Sequence, residues 1–121
     1  MSSLNSQELE DVLVVSFTDT KILDEARIQH VGKELMDMAA KAANKKMVLD
    51  FTGVQFMSSA MIGKLVLLNK KSKADSIELR LCQISPNVLE VFRITRLNKV
   101  FAIEPDLQSA VKSFDKKGWF G

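Results

Sequence analysis

Residues 48–59, VLDFTGVQFMSS, place a short apolar strand, a turn and the start of a helix in immediate succession. The strand is apolar from Met47 to Phe51 apart from Asp50, and Thr52-Gly53 supplies the residue types with which strands commonly end. After a brief loop, Ser58-Ser59 precedes an apolar run, which is the pattern of a helix N-terminus. Such a strand-to-helix passage is a unit from which α/β folds are built.

The regions on either side of this segment continue the alternation of strands and helices. Val12–Phe17 is a β-branched run that ends at polar residues, which predicts a strand. Ala60–Leu68 lacks turn residues other than Gly63 and is predicted to be a largely buried helix. An earlier helix is predicted from Asp24, its N-cap, because apolar residues recur at spacings of three and four. The residues of this apolar stripe are Ile28, Val31, Leu35, Met38 and Ala42.

The second half of the chain repeats the same pattern. Residues 77–81 alternate apolar and charged side chains, as a half-buried strand does. Pro86 suits the first turn of a short helix whose apolar face is formed by Val88, Val91, Phe92 and Leu97. Val100–Ile103 is predicted to be a strand, and Leu107–Phe114 the last helix. This order predicts an α/β fold with a mixed sheet of about four to five strands covered by about four helices.

Length and composition predict one domain over residues 1–121 and disfavour several classes of partner. With 46% hydrophobic residues, the chain can bury a single core, expected over about residues 10–114 between a short polar N-terminus and a C-terminal tail. The net charge of +2 is spread along the chain, so a nucleic-acid partner is not expected. The N-terminus has no signal-peptide pattern, and no apolar run reaches the roughly 18 residues that cross a bilayer. We therefore expect a soluble, cytoplasmic protein without a membrane partner.

Residues that could support catalysis or a cofactor are scarce. Gly63-Lys64 matches only the end of a phosphate-binding P-loop, because position 58 is serine instead of glycine and position 65 is leucine instead of serine or threonine. His30 is the only histidine, so a metal site or a catalytic triad would need distant residues without recognisable spacing. Cys82, the only cysteine, lies in an apolar run and is expected in the core. We expect no enzyme activity, no cofactor and no metal.

The serine pair allows two interpretations. A serine at a helix N-terminus commonly caps the helix, which stabilises it by roughly 1 kcal/mol. The same location would bring an added phosphate close to free backbone amides and the positive end of the helix dipole. Spacing alone favours the cap. Met61, in the first turn, is expected to be an exposed apolar side chain that contacts a partner.

The passage through Ser59 also resembles the signature of STAS domains, in which a strand with an acidic or amide residue leads through a loop of the form Asp-Ser-Ser/Thr-Gly-Leu-Gly into a helix. The resemblance covers roughly residues 10–114, including Leu23-Asp24 and residues 82–87 and 92–101. The chain departs from the signature at Ser58, which replaces the aspartate, and at Met61, which replaces a glycine. The signature residues that match are Asp50, Phe56, Met57, Ser59, Ile62 and Gly63.

The resemblance implies a regulatory binding protein of the anti-sigma-factor antagonist type. In such bacterial proteins, the unphosphorylated antagonist binds an anti-sigma factor and frees the sigma factor. The anti-sigma factor is also a serine kinase of the histidine-kinase-like ATPase type, and it phosphorylates the serine that follows the aspartate. A phosphatase is the candidate opposing partner. Ser59 is the implied phosphorylation candidate, with Ser58 beside it, and the implied partner-binding residues are Asp24, Met57, Ser58, Ser59, Met61 and Lys64.

A second function remains open from the sequence. The chain could be a STAS module that binds partners or itself constitutively, in which Ser59 is only a cap. The oligomeric state is also open, since exposed sheet edges could pair in a homodimer.

Overall fold

The computed structural model describes residues 3–42 and 44–120, with side chains described as far as Phe114. In this part of the chain there are more strands than the sequence predicts, and the first three follow one another before the first helix. The elements are β1 (Leu4–Leu9), β2 (Val12–Phe17), β3 (Lys21–Ile22), α1 (Glu25–Ala40), β4 (Lys46–Asp50), β5 (Phe56–Met57), α2 (Ser59–Ala74), β6 (Glu78–Cys82), α3 (Pro86–Ile94), β7 (Ile103–Glu104) and α4 (Leu107–Phe120).

The main sheet has five strands in the order β1-β2-β4-β6-β7. β1 is antiparallel to β2, and the other neighbours are parallel. β3 and β5 form a separate two-stranded parallel sheet. The predicted mixed α/β sheet with four helices is confirmed.

Helices cover both faces of the main sheet, because the central strands bury side chains on each side. Val15, Leu49 and Leu81 belong to the larger core cluster, which also contains apolar residues of α1, α2 and α3. Their neighbours Val14, Val48 and Cys82 belong to a second cluster with α4. Cys82 is completely buried, as expected. Desolvation, followed by the negative charge of Asp50, raises the pKa of its thiol to about 12, so it remains protonated.

The N-terminus is structured, whereas the sequence predicted a polar segment outside the core. β1 lies at one edge of the sheet, where only Leu4 is buried and the next four side chains are exposed. A strand of this kind leaves no apolar periodicity to detect. Glu10 and Asp11 connect it to β2 with φ angles of 48° and 69°, which is the left-handed pair of a tight hairpin turn.

The C-terminal third also differs in its boundaries. The predicted strand Val100–Ile103 is wrong except at its last residue, because Phe101 packs against Phe92 with ring centroids 5.5 Å apart. α3 ends at Ile94, so Leu97 lies beyond the helix. α4 continues to Phe120, where a tail was expected. The side chains of residues 115–120 and all of residue 121 lie outside the described part of the chain.

α1 follows its predicted stripe closely. Asp24 is the N-cap, and Ile28, Val31 and Leu35 are buried. At the helix end Ala39 is buried in place of Met38. Within the described residues, no helix combines the length and the apolar character needed to cross a bilayer.

Candidate functional site

Two short strands bring the beginnings of α1 and α2 side by side. β3 pairs with β5 in the register Ile22 to Met57, and the Ser58 amide donates to the Ile22 carbonyl at 3.1 Å. α1 and α2 begin within three residues of these strands. The two positive helix ends therefore lie at the same edge of the molecule.

The turn after β4 aims β5 toward β3. The Asp50 carboxylate accepts hydrogen bonds from the Thr52 amide at 3.0 Å and the Thr52 hydroxyl at 2.6 Å. Gly53 then adopts a φ of +87°, which favours glycine. Phe51 is completely buried and packs against Phe17, with ring centroids 5.0 Å apart. Asp50 thus shapes the loop and lies outside the groove.

A shallow groove lies between the two helix starts. It brings together three of the residues that the sequence singled out, Ser58, Ser59 and Lys64, and Asp24 borders it as the α1 cap. The groove is lined by Leu23, Glu25, Ile28, Gln29, Ser58, Ser59, Ala60 and Lys64.

The cap of α2 and the candidate phosphorylation site are different residues. Ser58 is the N-cap, and its hydroxyl accepts from the Met61 amide at 3.3 Å. Ser59 is the first helical residue and is exposed, and within the described residues its hydroxyl makes no hydrogen bond. The interpretation of Ser59 as a cap is therefore wrong, because the extended backbone that a cap requires occurs one residue earlier.

This division predicts different effects of removing each hydroxyl. Ser58→Ala should lower the free energy of unfolding by about 1 kcal/mol, because the Met61 amide loses its side-chain acceptor. Ser59→Ala should change it by less than about 0.5 kcal/mol. Urea denaturation of both variants measures the difference. Equal losses would contradict the assignment of the cap to Ser58.

The two methionines expected at a partner surface are buried. Met61 is 0% exposed and Met57 is 4% exposed, because both face the core beneath α2. The apolar side chains that the groove region does present are Leu23, which is 54% exposed, and Phe56, which is 42% exposed. The sequence missed them because a two-residue strand does not reveal which of its neighbouring side chains faces outward.

Charged side chains surround this region. Lys64 is half-buried, and a Cβ on Gly32 would lie 3.2 Å from Cγ and Cδ of Lys64, so the glycine makes room for the lysine stem. Lys21 Nζ lies 5.6 Å from the Phe56 ring centroid. Among the described residues, no group of three or more His, Cys, Asp or Glu side chains could hold a metal ion.

An ion pair fixes the loop that leads into α1. Asp19 accepts from Arg27 Nε at 2.6 Å and from Arg27 Nη2 at 3.1 Å. This side-chain hydrogen bonding raises the pKa of the Arg27 guanidinium. Because the Arg27 amide also donates to Asp24 at 3.0 Å, the pair ties the β2–β3 loop to the capped end of α1.

Comparison with known proteins identifies the family. Residues 3–110 match the model of the STAS domain. The chain belongs to the STAS domain family. The resemblance drawn from the Ser59 passage is confirmed, and the match includes β1, which the sequence had left outside the core.

Three proteins similar to this STAS domain cover between 77% and 93% of its length. BtrV of Bordetella bronchiseptica, named provisionally as an anti-sigma factor antagonist, is 27% identical over 93 residues, which are 77% of this chain and 79% of BtrV. A STAS domain protein of Planctomyces limnophilus has a similar fold, with a TM-score of 0.79, 24% identity and coverage of 93% of this chain and 97% of that chain. SpoIIAA of Bacillus in its phosphorylated form gives a TM-score of 0.65 at 14% identity, covering 92% and 98%.

These matches show the STAS domain family, and BtrV among them bears the name of an anti-sigma factor antagonist. Proteins of this type are non-enzymatic regulatory modules.

Proposed function

We propose that this STAS domain is a partner-switching antagonist in the cytoplasm. Unphosphorylated, it binds an anti-sigma factor of the histidine-kinase-like ATPase type through the surface around the groove. Phosphorylation of Ser59 by that ATPase ends the complex, and a phosphatase restores it. The observation that carries the proposal is that Ser59 is exposed and unbonded at the start of α2, while Ser58 alone supplies the cap.

The surface has the composition of a protein interface. Leu23 and Phe56 are exposed apolar side chains near the helix starts, and Leu67 is exposed farther along α2. Ala60 and Gly63 are small, exposed residues of α2. An apolar centre surrounded by charged side chains is typical of surfaces that bind another protein.

A phosphate on Ser59 would change this surface electrostatically. It adds about −1.5 to −2 charges at pH 7. The first-turn amides of α2 favour the phosphate, but the carboxylate of Glu25 lines the same groove. A partner docked on Leu23 and Phe56 would have to desolvate the added charge, which opposes binding.

The test begins with capture of the ATPase from a cytosolic extract, followed by measurement of its affinity as a purified protein. Ser59→Asp should weaken binding by about tenfold, because it introduces one unfavourable charge at the interface. Ser59→Ala should bind like the unchanged protein and accept no phosphate from ATP. Ser6→Asp is the matched control, because Ser6 is exposed on edge strand β1.

The alternative function, a constitutive binding module, predicts the opposite result for Ser59→Asp. If Ser59→Asp binds as tightly as Ser6→Asp, and if the captured ATPase transfers no phosphate to Ser59, the chain is a constitutive STAS binding or scaffold module.

A further inference from the structure

A second surface, outside the groove, follows the end of α3. Four donor side chains line one concavity there, and Arg93, Arg96 and Lys99 are exposed. Within the described residues, none of these three cations is in an ion pair. Two exposed apolar side chains, Ile94 at 73% and Val100 at 41%, neighbour the cations in sequence. The four lining residues are Arg93, Arg96, Asn98 and Lys99.

Arg96 has a left-handed backbone conformation, which favours glycine. The α3 end is closed by hydrogen bonds from the Leu97 amide to the Phe92 carbonyl at 2.8 Å and from the Arg96 amide to the Arg93 carbonyl at 3.0 Å. This pattern requires a left-handed residue directly after the cap, and Arg96 has a φ of +62°. A side chain is disfavoured in that conformation, although α2 ends in the same way at Ser76, which has a φ of +60°.

Cations near a helix C-terminus are favoured by the helix dipole, which accounts for Arg93 alone. Lys99 lies beyond the helix, and Arg96 is backbone-strained. No acidic side chain lines the concavity, although Glu90 lies one turn before Arg93. The three positive charges are therefore available to a ligand.

We propose that this surface binds a phosphate monoester on a segment of a partner protein. Three cations and an amide around one concavity suit a dianion, whereas a single carboxylate needs only one arginine. Three cations fall short of the four to eight that typify binding to anionic membranes. Ile94, which follows Arg93 in the chain, is an exposed apolar side chain available to a residue beside the phosphorylated one. No residue of this surface lines the groove, so the inference does not rest on the proposed function.

The probe is a short peptide with one phosphoserine next to an isoleucine, titrated into the isotope-labelled chain at physiological salt. The backbone amide signals of Arg96, Asn98 and Lys99 should shift and saturate. The same peptide with serine should cause no shift, and the same peptide with glutamate should bind more weakly. Equal binding of all three peptides would overturn the proposal. Preferential association with phosphatidylglycerol vesicles, with no response to the phosphopeptide, would also overturn it in favour of a membrane surface.

Arg96→Gly separates binding from stability. Its affinity for the phosphopeptide should fall about tenfold, because a charge-assisted hydrogen bond is lost. Its thermal unfolding midpoint should stay the same or rise, because glycine suits the left-handed conformation. Lys70→Gln, which removes one exposed charge from α2, is the matched control and should leave the affinity unchanged. Equal affinities of the two variants would contradict a phosphate site at Arg96.

Discussion

Met61→Gly, which restores the glycine of the STAS signature, is expected to lower the free energy of unfolding by about 3–5 kcal/mol. Met61 is completely buried in the larger core cluster, together with Ile62 and Leu65 of the same helix. Glycine would leave a cavity of nearly the whole side chain. It would also add the conformational cost of a glycine in the first turn of α2.

Urea denaturation of the purified variant measures this loss. Met61→Leu is the control, because a similar volume should cost less than about 1.5 kcal/mol. A loss below about 1 kcal/mol for Met61→Gly would mean that α2 moves to close the cavity and that Met61 is a minor part of the core.

The burial of Met61 means that this departure from the STAS signature lies in the core and not at an exposed contact. From sequence, a methionine in the first turn beside two serines indicated an exposed contact. Its actual direction depends on how α2 is rotated over the sheet, and the chain enters α2 directly from the β3–β5 pair. Neither strand is longer than two residues, so no periodicity in the sequence records it.

Elements with long or buried patterns were predictable. β2, α1, β4, α2 and β6 follow from apolar runs or spacings, because each buries one face or both faces in the core. β1 did not follow, because it lies at a sheet edge with mostly polar side chains. β7 was misplaced, because Phe101 is buried by packing against Phe92 and not by belonging to a strand. Phe101 lies before β7.

The candidate site was predictable only in part. Ser59 came from the resemblance, and the cap came from residue preference, but assigning the cap to Ser58 needed the backbone. The exposure of Leu23 and Phe56 beside the groove could not be predicted, since it depends on the pairing of β3 with β5.

Gly63→Gln is expected to make the domain more stable and the proposed complex weaker. Gly63 is exposed within α2, and a Cβ there would meet nothing within 4 Å, so no contact within the described residues requires glycine. A glycine inside a helix is destabilising, and the variant should gain about 0.5 kcal/mol. Gly63 shares its helix face with Ser59 and with Leu67, one turn away on either side.

We therefore attribute the glycine to close approach by the partner of the groove surface. Filling that space should weaken binding of the captured ATPase by about ten- to hundredfold, because a well-packed interface cannot absorb an added side chain. Ala74→Gln, an exposed substitution at the end of α2, is the control and should bind normally. Opposite signs for stability and affinity would separate a binding role from a folding role. If Gly63→Gln binds like Ala74→Gln, the partner does not reach this turn of α2, and the docking surface ends nearer to the groove.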